Sequence, residues 1–235
     1  MIPIRDTIQS KTPPIVTIGL IVVNSIVFFF QLSLGSRLDS FIGTFGLVPL
    51  RFIHQMERGN ILIGLLPLFT CMFLHGGWLH IIGNMWYLWI FGDNVEDRVG
   101  HAKFFIFYIL CGLLSGLTHA LMNANSGLPT VGASGAIAGV MGAYIILYPR
   151  AKIWTLIPIF FFVQFIEIPA FIFLGFWVLM QLLIGAFSTN MGPLSGGVAW
   201  WAHIGGFAAG AILVLVFKKR EKNIPKRYAD EYRPW

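Results

Sequence analysis

Charged residues are scarce in this sequence of 235 residues: Asp, Glu, Lys and Arg together make up 11% of it, whereas 57% is hydrophobic. Soluble globular domains carry about 25% charged residues, because their surfaces face water. The shortage of charge therefore excludes an ordinary soluble domain. It indicates a protein that crosses a membrane several times.

Cysteine is scarce as well. The only two, Cys71 and Cys111, form no CxxC pair and have no histidine at a metal-ligand spacing. A disulfide framework or a zinc site is therefore not expected. The sequence predicts neither a metal nor another cofactor.

Several catalytic signatures are also missing from the apolar segments. There is no HExxH motif and no pair of aspartates within a membrane segment, which argues against zinc and aspartyl proteolysis. Transporters coupled to protons or ions generally use buried carboxylates. None of the ten acidic residues lies at the depth of Ser134 within the apolar segments, so the sequence disfavours that class too.

Apolar runs account for most of the chain. Six of them predict membrane spans, at about residues 15–34, 78–91, 103–122, 132–148, 170–187 and 198–217. Residues 35–77 predict an interfacial loop, 153–169 an interfacial or folded-back segment, and 218–235 a cytoplasmic tail. The predicted fold class is an all-α membrane protein of one domain, a bundle of six transmembrane helices.

The basic residues predict the orientation of this bundle. Six spans place both termini on one side, and thirteen of the sixteen Lys and Arg residues fall on that side; the exceptions are Arg37, Arg51 and Arg58. Both termini are therefore predicted to be cytoplasmic. Because the positive charge follows helix ends, the net charge of +6 does not indicate nucleic-acid binding.

Two polar residues in separate apolar segments are the candidates for chemistry. Ser134 lies in the run Gly132-Ala-Ser134-Gly135, and His203 lies in Ala202-His203-Ile-Gly-Gly206. A polar group in hydrocarbon needs a partner. A serine with a histidine is the smallest set of residues for nucleophilic acyl chemistry.

The depths of these residues agree. A helix rises about 1.5 Å per residue, which places Ser134 roughly 24 Å from Arg150, and His203 roughly 22 Å from Lys218. On the same rise His80 lies roughly 20 Å from Asp93. Asn84 lies one turn deeper than His80 on the same helix face. No acidic residue lies at this level, so a Ser-His-Asp triad is not predicted.

Each candidate also has a structural interpretation. Ser134 fits a seam of small residues, His203 fits a satisfied core histidine, and His80 and Asn84 can bond neighbouring helices. His119 lies at a similar depth to His203 and is a rival base.

Three motifs in this order resemble the rhomboid intramembrane serine proteases: His75-Gly-Gly-Trp-Leu-His80-Ile-Ile-Gly-Asn84, the Ser134 run and the His203 run. The resemblance covers the chain from the first helix to Phe217. It implies a six-helix bundle around a short fourth helix, with Ser134 and His203 as a catalytic dyad. It also implies that His80, Asn84 and the Ser134 backbone N–H surround the oxyanion. The loop at 35–77 is implied to lie partly in the membrane, and the fifth helix and the loop at 188–197 to gate entry.

Two positions depart from that pattern. Ala138 stands where some members carry an aromatic ring that stacks on the catalytic histidine, so the sequence leaves open what orients His203. Arg51-Phe52 stands in the first loop, without the Trp-Arg pair of some members.

The sequence therefore predicts an intramembrane serine endopeptidase. Its partners would be transmembrane protein substrates and the lipid bilayer, with no nucleic acid. It would be a multi-pass protein of a prokaryotic cytoplasmic membrane, with its active site facing the outer side. The alternative is a noncatalytic binding or quality-control factor for membrane helices.

Overall fold

The computed structural model of the chain describes residues 1–159, 162–188 and 199–219. These residues form three β-strands and nine α-helices. The strands are β1 (Ile2–Asp6), β2 (Lys152–Ile159) and β3 (Phe162–Pro169). The helices are α1 (Ile15–Ser33), α2 (Leu38–Phe45), α3 (Pro49–Glu57), α4 (Ile61–Thr70), α5 (Trp78–Val99), α6 (His101–Met122), α7 (Ser134–Leu147), α8 (Ala170–Ser188) and α9 (Trp200–Phe217).

The membrane helices agree with the predicted bundle. Helices α1, α6 and α9 are long and apolar enough to cross a bilayer, and the segments 61–73 and 78–99 form a pair bent by 83° that counts as a fourth span. Helix α7 and the apolar part of α8 are shorter. The prediction of a helical membrane bundle is confirmed.

Helix α7 lies at the centre of this bundle. Every residue from Gly135 to Tyr144 is buried, because α5, α6, α8 and α9 all pack against it. Its 14 residues extend about 21 Å, less than the hydrocarbon thickness. This short central helix carries Ser134 at its first position.

Small residues allow α9 to approach α7 closely. A Cβ added to Gly206 would collide with the carbonyl oxygen of Gly135, and one added to Gly210 would collide with that of Gly139. The GxxxG spacing on α9 therefore serves backbone contact. This contact brings the helix of His203 onto the helix of Ser134.

Helix α5, which contains the predicted second span (78–91), continues through the polar run Asp93-Asn94-Val95-Glu96-Asp97-Arg98 to Val99. Helix α1 begins after Pro14 without a side-chain cap of its own. The fully buried Glu96 carboxylate accepts hydrogen bonds from the backbone N–H groups of Val16 and Thr17 at 2.9 and 2.7 Å. N–H groups in the first turn of a helix have no intrahelical acceptor and carry partial positive charge. The Glu96 carboxylate on α5 therefore caps the N-terminus of α1.

A three-stranded antiparallel sheet adds to the predicted helical architecture, in the order β1-β2-β3. The segment 153–169, predicted as interfacial or folded back, does reverse direction, but as a β-hairpin with Trp154 opposite Glu167. The Arg5 guanidinium lies over the Trp154 ring, 4.7 Å from its centroid. Strand β1 precedes α1, and the hairpin of β2 and β3 connects α7 to α8. The sheet therefore pairs the segment before α1 with the connection between α7 and α8, on one side of the bundle.

The region 35–77, predicted as a loop, contains the helices α2, α3 and α4. Arg51 donates hydrogen bonds to the carbonyl oxygens of Gly43 and Gly46, at 2.6 and 3.0 Å. These carbonyls belong to the C-terminal end of α2, where a cation is favourable. Phe52 beside it is buried in the core.

Candidate active site

Ser134 and His203 are in direct contact. The hydroxyl oxygen of Ser134 lies 2.9 Å from Nε2 of His203, across 69 positions of sequence. Helix α7 supplies the serine at its N-terminus and α9 supplies the histidine in its first turns. Both side chains are partly exposed, so the pair is accessible from outside the packed core.

The other ring nitrogen of His203 contacts a residue that the sequence reasoning missed. Nδ1 of His203 lies 2.7 Å from Oε1 of Gln181 on α8, and Gln181 is buried. An amide in the middle of an apolar helix is costly without a partner. Gln181 is the sole amide of α8, and that isolation was the signal available in the sequence.

Two tryptophans flank the His203 ring. The Trp177 ring, one turn before Gln181 on α8, lies 5.7 Å from it between centroids at an angle of 37°. The Trp200 ring lies 6.3 Å away and nearly perpendicular. The aromatic contact absent at Ala138 is thus made from α8 and from the start of α9.

His80 presents its Nε2 to the same place. Its Nδ1 accepts a hydrogen bond from the backbone N–H of Gly76 at 3.3 Å, so in a neutral ring the proton is on Nε2. A Cβ added to Gly132 would lie 2.7 Å from His80 Nε2 and 3.5 Å from Ser134 Oγ. Gly132 has a φ of +133° and no Cβ. Its lack of a side chain leaves a small space between the side chains of His80 and Ser134.

Asn84 follows His80 one turn along α5. It is buried, and its Nδ2 has no hydrogen-bond partner in the described part of the chain. A buried unpaired donor is costly, unless a ligand completes it. The backbone N–H of Ser134, in the first turn of α7, also lacks an intrahelical acceptor.

The rival histidine is engaged elsewhere. His119 on α6 lies 2.9 Å from the Thr130 hydroxyl through Nε2 and 3.4 Å from the Asn123 amide through Nδ1. The depth estimate could not separate His119 from His203, because depth says nothing of rotation about the helix axis. Of these two histidines, His203 is the one whose side chain contacts that of Ser134.

His75 lies in the loop just before α5, and its side chain is buried. Gln31 on α1 holds its backbone: the Gln31 amide donates to the His75 carbonyl at 3.1 Å and accepts from the His75 N–H at 2.9 Å. The His75 and His80 rings meet edge to face, 5.2 Å apart. This clamp fixes the start of the helix that carries His80 and Asn84.

The predicted gating loop at 188–197 lies outside the described residues beyond Ser188, and so does the predicted tail beyond residue 219.

Comparison with known proteins identifies the family of this chain. The sequence matches the family model of the Rhomboid domain over residues 64–220, a range that contains Ser134, His203, His80 and Asn84. The match covers more than half of the chain. The chain belongs to the rhomboid family.

Several proteins are similar to this rhomboid. RHOMBOID-like protein 1 of Arabidopsis thaliana is 31% identical over 169 residues, covering 69% of this chain and 39% of that protein. Rhomboid-like protein 11, chloroplastic, of the same organism is 26% identical, covering 83% and 66%. Rhomboid protein 1, mitochondrial, of Saccharomyces cerevisiae is 26% identical, covering 73% and 49%. This rhomboid thus spans less than two thirds of the length of these relatives.

Proposed function

We propose that this rhomboid is an intramembrane serine endopeptidase that hydrolyses peptide bonds in or near transmembrane segments. The observation that carries the proposal is the 2.9 Å contact between Ser134 Oγ and His203 Nε2. A serine hydroxyl is a weak nucleophile until a base takes its proton. His203 is within reach of that proton.

In the proposed reaction, His203 removes the Ser134 proton while the serine oxygen attacks the scissile carbonyl. Collapse of the tetrahedral intermediate releases the amine product, which takes the proton from His203, and leaves an acyl-serine. Water, deprotonated by the same histidine, then releases the acid and regenerates Ser134. The dyad is returned to its starting state.

The oxyanion in this reaction would lie beside Gly132. His80 Nε2–H faces that space, and the unpaired Nδ2 of Asn84 and the backbone N–H of Ser134 are further donors. Donors that meet charge only in the transition state accelerate the chemical step itself.

The proposed substrates are membrane proteins whose transmembrane helices unwind locally. A helix in hydrocarbon engages its carbonyls in its own hydrogen bonds, so the scissile carbonyl has to be released first. Residues of low helix propensity, such as Gly and Pro, near the outer end of the substrate helix would favour cleavage. The site is proposed to face the outer side of a prokaryotic cytoplasmic membrane.

A fluorophosphonate probe tests the proposal in protein reconstituted in liposomes. We expect the probe to label Ser134 in the wild type, and labelling to vanish in Ser134→Ala and in His203→Ala. Cleavage of a reconstituted transmembrane substrate should be lost in both variants. A folded wild type that is neither labelled nor active would contradict the protease and favour the noncatalytic binding factor.

A further inference from the structure

The residue that orients His203 belongs to neither helix of the dyad. Gln181 lies on α8, and its Oε1 is 2.7 Å from His203 Nδ1. The Gln181 side chain is buried in a helix whose other side chains between Ala170 and Phe187 are apolar or aromatic. A buried amide in such a helix points to a specific partner.

The direction of this hydrogen bond decides the tautomer of the imidazole. The amide oxygen only accepts, so Nδ1 of a neutral His203 has to carry the proton. Nε2 then presents its lone pair to the Ser134 hydroxyl, 2.9 Å away, which is the form that a general base requires. The opposite tautomer would turn an N–H toward Ser134.

Helix α8 holds the ring from a second position. Trp177 and Gln181 are four residues apart and so lie on the same face of α8, and the Trp177 ring lies at 5.7 Å from His203. Helix α8 thus contacts the imidazole both at Nδ1 and on the face of the ring, while Trp200 contacts it from the start of α9. The contact between α7 and α9 brings the dyad together, but it does not orient the ring.

We propose that Gln181 is a positioning residue, which holds His203 in the tautomer that accepts the Ser134 proton and makes the activity of the base depend on the position of α8. This inference rests on the proposed serine protease function. It assigns to a neutral amide the task that a carboxylate performs in Ser-His-Asp triads. The histidine therefore acts without a buried negative charge beside it.

The surroundings of His203 make a pH profile informative. Among the described residues, the titratable groups that act on it electrostatically are His80 on α5 and His119 on α6. Gln181 itself does not titrate. A carboxylate introduced at position 181 would thus add a new charge at the Nδ1 side of the ring.

The test measures the rate of fluorophosphonate labelling of Ser134 between pH 5 and 9 in liposomes. Gln181→Met keeps the length of the side chain and removes the acceptor; we expect the rate at pH 8 to fall about tenfold, equivalent to about 1.4 kcal/mol in the barrier. Gln181→Glu keeps an acceptor and should retain most of the rate at pH 8. Because its carboxylate favours the protonated imidazole, half-maximal labelling should move to higher pH.

Leu182→Ala is the matched control, since Leu182 is the next residue on α8 and 44% exposed. It should leave the rate and the pH profile unchanged. Thermal unfolding of each variant separates a lower rate from a lower folded fraction. A positioning role predicts that Gln181→Glu, which keeps an acceptor for Nδ1, retains at pH 8 the rate that Gln181→Met loses.

Two results would overturn the inference. If Gln181→Met is labelled as fast as the wild type, or if Met and Glu lower the maximal rate alike, Gln181 does not set the tautomer. Either result leaves the protease proposal untouched. If the folded wild type is not labelled at all, both proposals fail together.

Discussion

Gly206 on α9 lies against the carbonyl oxygen of Gly135 on α7, with no room for a Cβ between them. The two glycines are each close in sequence to a residue of the candidate dyad, Ser134 on one helix and His203 on the other. The contact between backbones therefore sets the distance between the side chains. Any residue larger than glycine has to separate the helices.

Gly206→Ala should lower both stability and activity. Overpacking of a close contact costs about 1–3 kcal/mol, and the displaced α9 would lengthen the distance from His203 Nε2 to Ser134 Oγ. Unfolding in detergent and cleavage of a reconstituted substrate measure the two effects. Gly175→Ala on α8, where an added Cβ meets nothing within 4 Å, is the control and should change neither.

Asn84→Ala tests the proposed oxyanion donor. Loss of one such donor lowers turnover by about 10²–10³, while KM changes little because the charge exists only in the transition state. Stability should change little as well, because Asn84 Nδ2 has no described partner to lose. A large drop in thermal stability with a near-normal kcat would instead make Asn84 structural.

His203 and His119 lie at similar depth, but their substitution by alanine should affect cleavage differently. His203→Ala should abolish cleavage, since it removes the neighbour of Ser134 Oγ. His119→Ala should retain most of it, because His119 contacts Thr130 and Asn123 instead. Equal losses in two folded variants would mean that the base is assigned wrongly or shared.

Asp6 should make stability depend on pH. Burial is the main cause that raises the pKa of this carboxyl from 3.8 to about 6, and the nearby Asp93 adds to it. Asn94 Nδ2 donates to the carboxyl at 2.8 Å. Because the folded-state pKa is raised, the contribution of Asp6 is fully present below about pH 4 and is lost as pH rises through 6.

The measurement compares unfolding of the wild type and of Asp6→Asn at several values between pH 4 and 7. The free energy of unfolding of the wild type should decrease relative to that of the variant over this range. Asp6 lies in β1, outside the membrane-spanning helices, so its proton exchange is with the aqueous side. A pH-independent difference between the two proteins would contradict the raised pKa.

Sequence alone determined the class of this protein and the set of its candidate site residues. Long apolar runs satisfy their backbone polar groups only as helices in a bilayer, so composition and run length predicted a helical bundle. A helix also has a fixed rise, so counting residues from charged ends placed Ser134, His203, His80 and Asn84 near one level. Both arguments use one coordinate, the depth along the membrane normal.

Rotation about each helix axis was decided only by tertiary packing. Depth left His119 and His203 equivalent, and it gave no reason to connect Gln181 with either of them. The glycine contact between α7 and α9 fixes which faces meet, and this brings His203 to Ser134 and leaves His119 with Thr130. Packing also decided the role of the polar run that ends α5. Glu96 lies within this helix, and its carboxylate caps the N-terminus of α1. These partners lie 11 to 80 residues apart in the chain, and local propensity carries no information about them.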